Sequence, residues 1–215
     1  MNGGDMSEDN FSLSEAVYNC RAMRRIKTDD VPEALLLKLI DAANQAPSGS
    51  NSQNARWIVV RDPVIKQALA DQNREHAGPY IAADVANPRS PKQKRMLDAV
   101  VWQLEHMHEI PALIVACFDY PEKVEGLGVY RSAGSVWPGI QNILLTARSL
   151  GLGAAPTTLA LRDQDAVRRI LKLPETFAAL CLIPVGYPAG KFGPVVRKPL
   201  EEIMRFDSWE ARIDS

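Results

Sequence analysis

The sequence predicts an α+β domain in which a small sheet is covered by helices. Helical and strand patterns alternate along the chain, yet only three segments carry strong strand character. Three strands are too few for a doubly wound parallel sheet in 215 residues. The strand Trp57-Ile58-Val59-Val60 also lacks apolar–polar alternation, which predicts cover on both of its faces.

Composition narrows the function classes. Apolar residues make up 46% and charged residues 24% of the chain, values typical of globular proteins that bury a sizeable core. A net charge of −1 supplies no global field for nucleic acid or an anionic membrane. No apolar run reaches the roughly 18 residues that a membrane helix needs. Cys20, Cys117 and Cys181 show no close pairing, and the last two sit inside apolar runs. They read as free thiols of a reducing compartment, the cytosol by default. His106 and His108 fall on different faces of a helix, so no metal site is expected.

Residues 1–12 begin with an acidic, polar stretch unlike a secretory signal and read as a disordered lead-in to one domain over 13–209. Leu13, Val17 and Cys20 at helical spacing predict a helix from Leu13 to Arg21. The box Arg21-Ala22-Met23-Arg24-Arg25-Ile26-Lys27 then places four cations in seven residues. It reads either as a solvated charge run or as a phosphate clamp, since guanidinium forks match phosphate oxygens. Thr28-Asp29-Asp30 is expected to cap a helix over Val31 to Gln45, with Leu35, Leu36, Leu39, Ile40 and Ala43 on its buried face.

That helix stops at Ala46-Pro47-Ser48-Gly49-Ser50-Asn51-Ser52-Gln53, before the strand Arg56 to Arg61. The loop is an ordinary turn or a ligand-binding edge, because its small polar residues leave backbone N–H groups and side-chain amides free. Asp62-Pro63 opens a helix to about Glu75, and 76–95 shows no sustained period. This irregular stretch, within a lid region of 76–110, reads as a mobile cover over a site or as simple disorder. Helix is expected again from Gln93 to Glu109, and Pro111 to Phe118 is the clearest buried strand.

Pro121 to Arg131 reads as loop. Ser135 opens a long helix that Gly151 closes at the C′ position. Small residues in Leu152 to Thr158 permit close approach of a ligand to backbone. A helix over Arg162 to Leu171 and a strand over Ala178 to Val185 complete the pattern. The tail over 191–215 has no core of its own, yet Ile203, Met204, Phe206 and Trp209 need burial, which suggests wrapping of this domain or of a partner subunit.

Four segments in this order resemble the FMN-dependent nitroreductase family over nearly the whole chain. They are the Arg21–Arg24 box with Val31-Pro32, the Ala46–Gln53 loop, the Leu150–Thr158 turn, and Val185-Gly186-Tyr187-Pro188 with Arg197-Lys198-Pro199-Leu200-Glu201-Glu202. The resemblance implies a nitroreductase-like fold with a small mixed, mostly antiparallel sheet. It also implies an intertwined homodimer holding FMN at the subunit interface. Arg21, Ala22, Met23, Arg24 and Arg197 would then surround the FMN phosphate. Pro47, Ser48, Gly49, Asn51 and Gln53 would approach the flavin from the other subunit. Pro156, Thr157 and Thr158 would place a backbone N–H near the flavin N5 edge, with Ser135 and Trp137 as further pocket residues. NADH or NADPH would supply hydride in a ping-pong reaction, and a small electron-poor acceptor such as a nitroaromatic or quinone would remove it. No side chain need act as acid or base, since the cofactor carries the chemistry.

Three departures bear on substrate more than on cofactor. Ala22 stands where the family box often has Ser, Gln53-Asn54-Ala55 replaces the usual Gln-Pro-Trp, and Thr157-Thr158 occupies a turn that often carries an acid. Competing readings are another FMN reaction on the same fold (reductive dehalogenation or flavin fragmentation), a non-catalytic flavin-binding protein, and a structural protein with no cofactor.

Overall fold

The computed structural model describes residues 11–120 and 133–210. Residues 1–10 of the expected lead-in, the expected loop over 121–131 and the last residues of the tail lie outside them. In chain order the elements are α1 (Leu13–Asn19), α2 (Glu33–Asn44), β1 (Ala55–Val60), α3 (Pro63–Ala86), α4 (Pro91–His106), β2 (Ala112–Asp119), α5 (Val136–Ser149), β3 (Gly153–Ala154), α6 (Gln164–Leu171), β4 (Phe177–Gly186) and α7 (Leu200–Ile203). The four strands form one sheet in the order β1-β2-β4-β3, and every described pair is antiparallel. The class is α+β, as expected, although the sheet is antiparallel rather than mixed.

The central strand β2 decides the packing. Ala112, Ile114, Ala116 and Phe118 face a core completed by Leu36, Leu39 and Ala43 of α2 and by Val136, Ile140, Ile143 and Ala147 of α5. Leu113, Val115 and Cys117 face the opposite core, with Leu69 and Ala70 of α3, Met107, and Val167 of α6. An unbroken apolar run thus serves two helical layers at once. Each such Leu or Ile contributes about 1.5–3 kcal/mol by leaving water. A bulge between Ala116 and Cys117 skips Leu180 on β4. It turns Ala179 to one core and Cys181 to the other.

Local chemistry explains most helix ends. Ser12 caps α1 by accepting from the Glu15 N–H, Asp62 caps α3, Ser90 caps α4 and Asp163 caps α6. At the end of α5 the Leu152 N–H reaches the Ala147 carbonyl and the Gly151 N–H reaches Arg148. Gly151 has φ 73°, which closes a Schellman motif that only glycine adopts without strain. The expected Thr28-Asp29-Asp30 cap does not form. Pro32 is the N-cap of α2 without a side-chain bond, and Asp30 instead holds Arg61 through both carboxylate oxygens at 2.7 and 2.8 Å.

Three further expectations need correction. The stretch 76–95 is not irregular: α3 runs through Gly78-Pro79 to Ala86 and α4 begins at Pro91. Buried Leu69, Ala70, Asn73 and Ala77 anchor α3 before the proline, and packing against α4 carries the helix past it. The strand β1 is not buried on both faces. It lies at the sheet edge, and Val59 is exposed. The two-residue strand β3 was not expected at all.

Candidate functional site

The basic box is an extended strap laid across the end of the sheet. Cys20 leaves α1 in an extended conformation. The Met23 N–H donates to Ala154 O at 3.0 Å, the Lys27 N–H to Tyr187 O at 2.8 Å, and the Ala189 N–H to Arg25 O at 2.9 Å. Met23 and Ile26 point into the core, which is why the strap holds. Its seat requires glycine beneath: a Cβ on Gly153 would lie 2.9 Å from Met23 Cβ, and one on Gly186 would lie 2.5 Å from Ile26 Cγ2. Met23 is therefore a core residue whose side chain is spent on packing.

Outward from the strap opens a cleft of about 510 Å³. Four residues expected at the site line it: Arg21, Ala22, Pro156 and, from the other end of the chain, Arg197. Arg21 Nη2 donates to Lys191 O at 2.7 Å, and Arg197 Nη1 donates to its neighbour's carbonyl, Val196 O, at 3.1 Å. Both keep further N–H donors for a ligand. Arg24 is half-buried, and no acceptor or carboxylate pairs with it among the described residues. Burial alone pulls its pKa below the ordinary arginine value, as expected for a guanidinium that lacks a counter-ion. Tyr18, Cys20, Gln141 and Val195 also line the cleft. Sequence reasoning missed them because α1, α5 and the tail each contribute a residue with no motif around it. Burial raises the Cys20 pKa, partly offset by the charges of Arg148 and Arg197.

In the turn, the Thr157 N–H is already spent. It donates to Leu182 O at 2.8 Å, and Thr157 O accepts from Leu182 in return at 2.9 Å. Pro156 has no N–H, so Thr158, which is exposed, supplies the turn's unspent donor.

The second group of expected residues lies apart from that cleft. The Gly49 N–H donates to Ser135 Oγ at 3.1 Å, the Gln53 N–H to Ser48 Oγ at 3.0 Å, and Gln53 Nε2 to Asn51 Oδ1 at 3.2 Å. Ser50, Asn51 and Gln53 all have φ near +50°, a left-handed conformation costly for residues with a Cβ. Such strain persists only where the surroundings hold it, here the Ser48 and Ser135 hydroxyls. Ser48, Gln53 and Ser135 border a small cavity of about 30 Å³ beside Trp57. Pro47, Gly49 and Asn51 face outward, and Trp137 is partly exposed. Loop and cleft share no lining residue.

The guanidinium-lined cleft and the strained, outward-facing loop thus stand apart on one fold, and that fold is shared with known proteins. The nitroreductase family model matches residues 19–187, and the chain belongs to that family. It is 32% identical over 202 residues to an NADH dehydrogenase of Thermus thermophilus, covering 88% of this chain and 93% of that protein. It is 26% identical over 213 residues to the iodotyrosine deiodinase of Nematostella vectensis, covering 93% of this chain and 76% of the relative. Among solved structures, an iodotyrosine deiodinase bound to FMN and 3-iodo-L-tyrosine superposes with a TM-score of 0.72 at 24% identity, over 92% of this chain and 100% of that one. The NfrA1 nitroreductase from B. subtilis superposes at 0.71 and 19% identity, over 92% of this chain and 75% of that one. Both likenesses establish the fold. No helix among the described residues is long and apolar enough to cross a membrane.

Proposed function

We propose that this chain is an FMN-dependent oxidoreductase that takes a hydride from NADH or NADPH and reduces small electron-poor acceptors, nitroaromatics or quinones among them. One observation carries the reading: the fold brings Arg21 from the start of the chain and Arg197 from its end to one cleft beside Pro156. Arg24, half-buried and unpaired, adds a third guanidinium to the same strap. A phosphate monoester, with nearly two negative charges and three acceptor oxygens, matches that donor set. When bound, FMN supplies the hydride and electron transfer chemistry. The chain's own residues hold and surround it. Arg21, Arg24 and Arg197 bind the phosphate, and the Thr158 N–H is available to the isoalloxazine edge. Cys117 and Cys181 stay as buried thiols, which fits a cytoplasmic, reducing setting.

The separation of cleft and loop supports a homodimeric site, in which the Pro47–Gln53 loop of one subunit completes the cleft of the other. The tail supports the same reading. Its start packs on its own chain, but Val196, Leu200, Ile203, Phe206 and Trp209 stand 55–75% exposed. So large an apolar surface calls for a covering subunit. On calibrated sizing the protein is expected to run as a dimer, and a monomer that still binds FMN tightly would contradict the composite site.

Absorbance spectroscopy tests the cofactor and the donor together. Purified protein should show oxidised-flavin bands that bleach when NADH or NADPH is added without oxygen. The absence of flavin bands after incubation with FMN would overturn the reading. The match to iodotyrosine deiodinases over most of the chain favours one alternative, reductive dehalogenation at the same site. Release of iodide from 3-iodotyrosine, without turnover of quinone or nitroarene, would select it.

A further inference from the structure

Arg148 lies in the last turn of α5, where the N-terminal segment and the tail meet. Its guanidinium carbon stands 4.4 Å from the ring centroid of Phe11 and 4.3 Å from that of Phe192. Nη2 is 3.3 Å from Glu15 Oε1, the side chain is only 14% exposed, and the buried Nε has no acceptor. A planar cation between two ring faces is held by both quadrupoles, and the attraction grows as water is excluded. The sandwich therefore ties three separate parts of the chain: α5, the segment leading into α1, and the tail.

The tail needs such a tie. Beyond the Ile26–Pro188 bridge the described residues of the tail make no further strand pairing, and the next regular element is the four-residue α7. Three contacts guide it over 191–195. Lys191 O accepts from Arg21, Phe192 stacks on Arg148, and the Val195 N–H donates to Tyr18 O at 3.0 Å. Two residues later the tail delivers Arg197 to the cleft, where among the described residues its side chain bonds only to Val196 O. Of the two side-chain contacts the stacked ring is the better shielded, since Arg148 is only 14% exposed while the Arg21 bond lies at the surface and competes with water.

We propose that Arg148 is a positioning residue for the cofactor-phosphate site: its sandwich pins Phe192 and so fixes the path by which Arg197 reaches Arg21 in the cleft. Arg148 does not itself line the cleft and acts through the tail. The inference rests on the phosphate-clamp reading given above.

Its test is an equilibrium titration of the FMN-free full-length chain with FMN and, separately, with riboflavin, which lacks the phosphate. Arg148→Ala and Phe192→Leu should each weaken FMN binding about 5- to 30-fold, the scale of a desolvated cation–π contact, while riboflavin binding changes little. Arg148→Lys, which keeps a cation between the rings, should recover part of the loss. Added to Arg197→Ala, either variant should cost little more, because the lost contact acts through the same guanidinium. Equal losses for FMN and riboflavin, or full additivity with Arg197→Ala, would mean that Arg148 only braces the fold. If Arg148→Ala does not fold, Phe192→Leu decides alone, since it alters a half-buried tail residue. An unchanged FMN-to-riboflavin preference in Arg197→Ala sinks the clamp and this inference together. A changed preference there, with no change in the Arg148 and Phe192 variants, sinks only the positioning role.

Discussion

Arg24→Ala is expected to lower FMN affinity by about 1.5–3 kcal/mol, roughly 10- to 150-fold, with little loss of folding stability. The asymmetry follows from where its side chain sits. Arg24 is half-buried without a carboxylate or carbonyl partner among the described residues, so the folded chain gains little from its charge. Its lowered pKa, caused by burial alone, points the same way. Removing a desolvated cation that nothing neutralises does not break an ion pair. A bound phosphate would provide the missing counter-charge, and its loss would show in affinity. Arg197→Ala should behave similarly, since among the described residues its side chain bonds only to the adjacent carbonyl. Paired measurements of FMN affinity and urea midpoint check both. Unchanged affinity in the two variants would remove the clamp. A large fall in midpoint would make the guanidinium groups structural instead.

The same strap shows what was legible in the sequence and what was not. Four cations in the box and the small polar loop announce themselves by composition. The core strand 112–119 does so by an apolar run long enough for two helical layers. The helix over 136–149 is legible because its apolar spacing and Gly151 agree. Met23 was not legible as core, because an extended strap alternates its faces only once the sheet end beneath it is known. Gly78-Pro79 misled for a related reason. The dipeptide is a local breaker, and the packing that overrides it comes from α4, which no short window contains. Gly153-Ala154 is too short and too small to signal a strand, although it carries the partner carbonyl for Met23. The site followed the same rule. Of the residues lining the cleft, Arg21, Ala22, Pro156 and Arg197 sit in segments the sequence singles out, while Tyr18, Cys20 and Gln141 reach it only through tertiary placement.

Alkaline pH should destabilise the protein through two thiols that line neither the cleft nor the loop cavity. Cys117 and Cys181 are both fully buried, on adjacent strands but in opposite cores. Burial pushes each thiol up to about 12 from the ordinary value of 9.0, and for Cys181 a backbone contact from Thr157 offsets a little of the rise. The unfolded chain therefore releases these protons first. Between about pH 9 and 12 the native state binds more protons than the unfolded state, so the free energy of unfolding falls as pH rises. Below pH 9 the full contribution is present. About 1.5 pH units above the unfolded value, the loss amounts to roughly 2 kcal/mol per thiol. Urea midpoints at pH 8 and pH 10.5 measure it, and comparison with the Cys117→Ala, Cys181→Ala double variant isolates the thiols from lysine and tyrosine titration. Truncation lowers the midpoint at both pH values through lost packing, a cost without pH dependence. The double variant should thus start less stable and lose less on the way up. Parallel pH slopes in the two proteins would show that the buried thiols ionise as readily folded as unfolded, which dry cores on both faces of the sheet do not permit.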